Sequence, residues 1–291
     1  MINFLRSRGF VVFFTFVWMI AAIGLSYYRY QQRGSVFSYS IDFTGGTQYQ
    51  FKFDKDVTPT QIKEIVSEFL PGEVIIRQLS TSDFIIRTQE VTDARLGEIL
   101  LIKLRESLPS YNIDLLQSEN VGPGVGESLW VKSLQAILLS MIAILIYIAF
   151  RFWSFAFSAG AVFALLHDTI FILALILFLD MPISVNIIGA IVAILGYSIN
   201  DTIVIFSQIR EYLSVYKAEA LSVIINKAIN KTLRRTMLTS FSTALPLLML
   251  FLFGGEALYD LSLILLAGII IGTFSSILIA SPLMMMLYRR E

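Results

Sequence analysis

Apolar residues crowd into six long runs, near residues 10–28, 133–150, 155–179, 182–207, 237–254 and 259–288. Each is close to the roughly 20 residues that an α-helix needs to cross a bilayer. Arg151 divides the second run from the third, Asp180-Met181-Pro182 the third from the fourth, and Gly254-Gly255-Glu256 the fifth from the sixth. The fourth and fifth are divided by 208–236, which is too polar to span and too periodic to be a plain loop. There Ile209, Tyr212, Leu213, Tyr216, Ala220, Val223, Ile224 and Ile229 recur at helical spacing. That pattern predicts an amphipathic helix lying on the membrane surface.

Between the first and second runs the pattern changes to that of a water-soluble domain, residues 29–128. Gln48–Phe53 alternates as a strand. Thr58-Pro59 places an N-cap and a first-turn proline before a helix to about Phe69. Pro71-Gly72 reads as a turn, Val74–Leu79 and Phe84–Thr88 as two strands, Thr92-Asp93 as the cap of a second helix to about Leu108, and Tyr111–Gln117 as a last strand. The order β-α-β-β-α-β predicts a ferredoxin-like α+β domain. The expected organisation is an N-terminus with the first span (1–28), this domain (29–128), and a five-span bundle (129–291). The bundle comprises 133–150, 155–179, 182–207, the amphipathic segment 208–236, 237–254 and 259–288.

Composition agrees with a polytopic α-helical membrane protein. Only 15% of the 291 residues are charged, against roughly 25% in soluble domains. The formal net charge of +0 hides an asymmetry. Residues 29–128 carry 10 basic and 14 acidic side chains, and the remainder 12 basic and 8 acidic. This distribution fits a protein facing two compartments and argues against nucleic acid as a partner. Lys and Arg gather in the short loops and termini of one side, from Arg6 and Arg8 through Arg151, Arg210 and Lys217 to Arg289 and Arg290. Loops 180–182 and 254–258 have none. Both termini are therefore expected in the cytoplasm and the domain outside. The first run ends in Ser26-Tyr27-Tyr28-Arg29-Tyr30 with no A-x-A-like cleavage site, which predicts a retained signal anchor. The absence of Cys excludes disulfides and thiolate sites, and one His excludes a multi-His metal cluster. No cofactor, metal site or enzymatic activity is expected.

The fourth run contains Gly196-Tyr197-Ser198-Ile199-Asn200-Asp201-Thr202. A carboxylate inside a span costs a few kcal/mol and marks a functional position. Asp201 lies roughly 9 Å from the expected cytoplasmic end at 1.5 Å per residue. Leaving water disfavours the charged form of any carboxyl group, which makes reversible protonation one reading of this position. Arg234 or Arg235, at the expected cytoplasmic end of the fifth run, is placed to snorkel inward and meet it. A fixed polar tie between helices is the other reading. His167 and Asp168, mid-way along the third run, either join a proton or water path or simply bond a facing Ser or Asn. Gly189, Ala193 and Gly196 share one face of the fourth run, and Gly268, Gly272 and Ser276 one face of the sixth; such small-residue faces let helices pack closely. An intramembrane serine protease built on Ser198 and His167 leaves Asp201 without a role. The glycine-rich stretches 44–47 and 122–126 lack the Gly-x-x-x-x-Gly-Lys-Ser/Thr pattern and read as tight turns.

Five blocks then occur in a telling order: Ile41-Asp42-Phe43-Thr44-Gly45-Gly46, Val121-Gly122-Pro123-Gly124-Val125-Gly126, His167-Asp168, Gly196 to Thr202, and Thr232-Leu233-Arg234-Arg235-Thr236-Met237-Leu238-Thr239-Ser240. Together they resemble the SecF branch of the SecD/SecF family of protein-export membrane proteins, within the RND superfamily. The resemblance covers nearly the whole chain. It implies pairing with SecD in a twelve-helix unit, association with the SecYEG channel and often YajC, and use of the proton gradient to promote export of unfolded preproteins across the bacterial inner membrane. It also implies that the family's intramembrane Asp falls on Asp201 and its fifth-span Arg on Arg235. An RND-type proton-driven transporter of lipids or small molecules is the competing expectation. It would need a large apolar cavity in the outside domain.

Overall fold

The computed structural model describes residues 2–70, 74–88 and 95–288. In chain order it contains α1 (Arg8–Arg33), α2 (Ile41–Thr44), β1 (Gly46–Phe53), α3 (Pro59–Phe69), β2 (Val74–Gln78), β3 (Asp83–Thr88), α4 (Leu96–Ser107) and β4 (Ile113–Val121). These are followed by α5 (Pro123–Phe152), α6 (Phe155–Phe178), α7 (Val185–Val215), α8 (Leu221–Phe253), α9 (Glu256–Ser275), a π-helical turn (Ser276–Ala280) and α10 (Ser281–Leu287). Two compact units result: Tyr39–Leu134, and Met1–Ser38 together with Gln135–Glu291.

The first unit is a four-stranded sheet in the order β2-β3-β1-β4, every pair antiparallel. This is the ferredoxin-like arrangement that the element order predicts. Tyr49, Phe51 and Phe53 alternate along β1 and are buried with Phe84 and Ile86 of β3. Ile62 and Val66 of α3 and Leu100 and Leu104 of α4 close the core. Thr58 and Gln61 form a reciprocal capping box, with Pro59 opening α3. The predicted turn at Pro71-Gly72 and cap at Thr92-Asp93 lie outside the described residues. The two glycine-rich stretches meet each other. Gly45 and Gly46 turn the chain with φ of 71° and 114°, and Gly126 lets α5 approach α2 so closely that a Cβ there would lie 2.6 Å from the Phe43 carbonyl oxygen.

The second unit is the helical bundle. Among the described residues six helices are long and apolar enough to span, the last running through α9, the π turn and α10. The chain is thus a polytopic helical membrane protein carrying a small α+β domain. The segment 208–236 differs from its expected form. It is not one surface helix: α7 continues to Val215, and α8 begins at Leu221 and runs straight into the fifth span. Nothing in 208–215 or 221–236 breaks a helix, so the spans extend as helices beyond their apolar parts. Helices α7 and α9 touch at glycine: a Cβ on Gly268 would lie 2.3 Å from the Ile194 side chain, and one on Gly272 2.9 Å from Ser198 Cβ. Gly189 and Gly196 are different. A Cβ on either would meet nothing within 4 Å, so the small-residue face of α7 that the sequence marks for packing is bare among the described residues.

Candidate functional site

Asp201 stands in the middle of α7, 1% exposed. Its Oδ2 has no hydrogen-bond partner. Helix α8 lies across this turn and brings the Arg235 guanidinium and the Thr239 and Ser240 hydroxyls to bear on the carboxyl group. The direct Arg235–Asp201 ion pair expected from sequence is not formed among the described residues. Arg235 is exposed on α8 and acts through its field, and Arg234 is exposed beside it. The hydroxyls on this face of α8 turn inward: Ser240 Oγ donates to the Thr236 carbonyl at 2.8 Å and meets Thr273 Oγ1 of α9 at 2.7 Å. Among the described residues, Tyr197 Oη one turn before Asp201 on α7 and Thr236 Oγ1 next to Arg235 on α8 are also buried without partners. Buried polar atoms are nearly always paired, and an orphaned one calls for a physical reason. A carboxyl oxygen with no donor on it is where a proton can be added or removed without breaking another bond.

Asp168 presents the opposite case. It is 0% exposed and saturated. Its Oδ2 accepts from Ser198 Oγ of α7 at 2.6 Å and from Ser275 Oγ of α9 at 2.7 Å. Its Oδ1 lies 3.1 Å from His167 Nδ1. The other ring nitrogen, Nε2, lies 3.2 Å from Thr15 Oγ1 of α1. The two ring nitrogens of His167 thus join the Asp168 carboxyl to the Thr15 hydroxyl. The hydroxyl distances fall in the range of charge-assisted bonds. Neighbouring residues on α6 thus reach three other helices.

Asp201 and Asp168 are not brought together; the nearest thing to a link is Ser198, three residues before Asp201 and bonded to Asp168. Asn200 is exposed, on the same bare face of α7 as Gly196. Sequence reasoning missed Ser275 and Thr15, and weighed Ser198 only as a nucleophile. Ser276, which the sequence puts on the packing face, is fully buried, and its Oγ donates to the Gly272 and Thr273 carbonyls of its own helix. The only available signal was hydroxyls inside apolar runs, which occur at many other positions. It also treated Asp180 as a mere break. Arg29, Arg33 and Ser38 all donate to Asp180, at 2.7, 2.9 and 3.1 Å. Partial burial raises the Asp180 carboxyl, but these donors outweigh it and the net direction is below the usual value of 3.8. Asp180 itself holds φ at 52°, a left-handed conformation that Asp tolerates better than most residues.

Residues 102–290 match the family described as protein export membrane protein SecD/SecF, C-terminal, and residues 35–57 match the SecD/SecF GG motif. The chain is 36% identical to the protein translocase subunit SecF of Calditerrivibrio nitroreducens over 249 residues, 84% of this chain and 82% of that one. It is 36% identical to the subunit of the same name from Rickettsia prowazekii over 278 residues, 94% of this chain and 86% of that one. Among solved structures it resembles SecDF of Thermus thermophilus, a translocon-associated membrane protein. The TM-score is 0.85 at 33% identity, covering 98% of this chain and 38% of that longer one.

Proposed function

The chain belongs to the SecD/SecF family of protein-export membrane proteins, and from that premise we propose that it is the SecF-type subunit of the Sec translocase, which pairs with a SecD chain and uses the proton motive force to promote protein export. The observation that carries the proton role is Asp201: a carboxyl group 1% exposed in a spanning helix, one oxygen without a donor, and a guanidinium and two hydroxyls on the facing helix. Asp201 takes and releases the proton. Arg235 stabilises its charged form, and loses that role each time the carboxyl is neutralised. The change in charge at the α7–α8 contact biases the bundle between two packings. Moving one charge across 100 mV supplies about 2.3 kcal/mol, enough for repeated small strokes.

The SecD-type partner seats on the bare face of α7. Gly189, Ala193, Gly196 and Asn200 recur there at intervals of three and four, which suits a second helix approaching closely with one polar contact. The chain lies in the bacterial inner membrane with both termini cytoplasmic and residues 29–128 outside; the Lys/Arg bias of the short loops supports this orientation. SecYEG, YajC and the unfolded preprotein are the further partners of this reading. An RND-type lipid transporter is less well supported, because the interior of the α+β unit is filled by Tyr49, Phe51, Phe53 and Phe84.

Two experiments test the proposal. Export into inverted vesicles, with and without a proton gradient, is measured for Asp201→Asn paired with SecD; the expected result is normal pairing with no stimulation by the gradient. Full stimulation contradicts the proton role. The absence of Cys makes orientation simple to read: Ser67→Cys should react with an impermeant maleimide from outside, and Ser222→Cys only after permeabilisation.

A further inference from the structure

Asp168 does not touch Asp201, yet it holds the turn of α7 on which Asp201 stands. The Ser198–Asp168 bond at 2.6 Å anchors the backbone three residues before Asp201. The same carboxylate oxygen fixes Ser275 of α9 at 2.7 Å. Helix α9 can approach α7 no further there, because Gly272 already lies against Ser198. The π-helical turn of the sixth span begins at the very next residue, Ser276, and such turns inside α-helices occur frequently at functional positions. In the other direction the chain of bonds runs through His167 to Thr15 of α1. Only residues 34–38 separate the end of α1 from the α+β unit.

We infer that Asp168 and His167 are positioning residues for Asp201: the hydrogen-bonded chain Thr15–His167–Asp168–Ser198 sets the α7 turn that carries Asp201 and ties it to α1, the helix that leads into the α+β unit. The inference rests on the reading of Asp201 as the proton-binding group. Asp168 acts through Ser198 and is not the carrier. The charged group bearing on Asp201 is Arg235 of α8. Asp168 faces His167 on its own helix and hydroxyls alone, Ser198 and Ser275, from α7 and α9 among the described residues, while Thr15 of α1 reaches it through His167. A buried carboxylate with three donors keeps or loses them as a network. Its rearrangement therefore moves the Asp201 turn and α1 together.

The test uses the full-length chain with its SecD partner in proteoliposomes. Carbodiimide, which attacks protonated carboxyl groups in apolar surroundings, is applied across a pH series, and modification of the Asp201 peptide is read by mass spectrometry. Thr15→Val removes one end of the chain of bonds at a partly exposed site where folding is not at stake; Thr15→Ser keeps the hydroxyl. Asp168→Asn removes the central charge at nearly constant shape. Thr15→Val should change the Asp201 labelling rate at the parent's midpoint pH by about twofold or more, in the range of coupling through packed networks. Asp168→Asn should change it further, and Thr15→Ser should match the parent. A merely structural junction would lower the thermal midpoint and leave the labelling curve in place. An unchanged curve in Thr15→Val overturns the inference. A parent whose Asp201 labels at no pH overturns the proton reading itself, and this inference with it.

Discussion

Two carboxyl groups are buried in the same bundle, and the protein treats them in opposite ways. Asp168 is enclosed by three donors from three residues, with a fourth residue steadying its histidine. Asp201 is as deeply buried but keeps one oxygen free of donors. Burial alone therefore does not mark the working group. A buried carboxyl group held by hydroxyls of two other helices is a structural fixture, since removing it strands the groups that tie those helices together. An unsaturated one carries a standing cost of roughly 1–3 kcal/mol. A protein retains such a cost where the free oxygen has work to do. The two positions are joined through one turn of α7 by the Ser198–Asp168 bond, so under the proposed function Asp168 holds Asp201 in place.

The comparison can be broken most severely at the two carboxyls themselves. Asp201→Asn should abolish proton-gradient-dependent export while leaving the thermal midpoint of the purified complex unchanged or slightly raised, because it replaces an imperfectly paired acid by a neutral group. Asp168→Ala should do the reverse in stability. It strands His167, Ser198 and Ser275, and should cost about 3 kcal/mol, the scale on which breaking a buried polar pair is felt, measured by unfolding in detergent. Equal stability losses in the two variants would erase the distinction.

The glycine faces sharpen the contrast on a smaller scale. Gly268→Ala drives a methyl into Ile194 and should cost about 1–3 kcal/mol in this chain alone. Gly196→Ala faces open space and should change this chain's stability by less than about 0.5 kcal/mol, while weakening co-purification with SecD. The smallest effect is expected at Asp180. Its folded carboxyl lies below its ordinary value of 3.8, so its contribution is complete above that value and fades as pH falls through the lower folded one. The complex should lose stability as pH falls below 3.8, and Asp180→Asn should flatten part of that slope. The carboxyl is 39% exposed, so the change is small and screened by salt.

The fold was legible because its causes are local and periodic. Runs of apolar residues, the alternation of Gln48–Phe53 and the capping residues Thr58-Pro59 each signal their element without reference to the rest of the chain. Helix length was not legible at 208–236, where the apolar signal stops but the helices do not. Asp201 was visible because a charge in an apolar run stands out wherever it points. Its lack of a direct partner in Arg235 was not, since the sequence gives Arg235 a reach but no direction. The partners of Asp168 and His167 were hidden for a similar reason: Ser198, Ser275 and Thr15 come from three other helices, and hydroxyls carry no hydropathy signal. The bare glycines of α7 show the same limit: small residues declare close approach without saying to which chain.

Under the proposed function Asp201, and not Asp168, is the group that reversibly binds the proton. The most direct measurement is pH-difference infrared spectroscopy of the complex in lipid, following the carbonyl stretch of protonated carboxyl groups. A band that appears and disappears with pH in the parent, vanishes in Asp201→Asn and survives in Asp168→Asn is the predicted result. A titrating band that survives unchanged in Asp201→Asn would contradict the account.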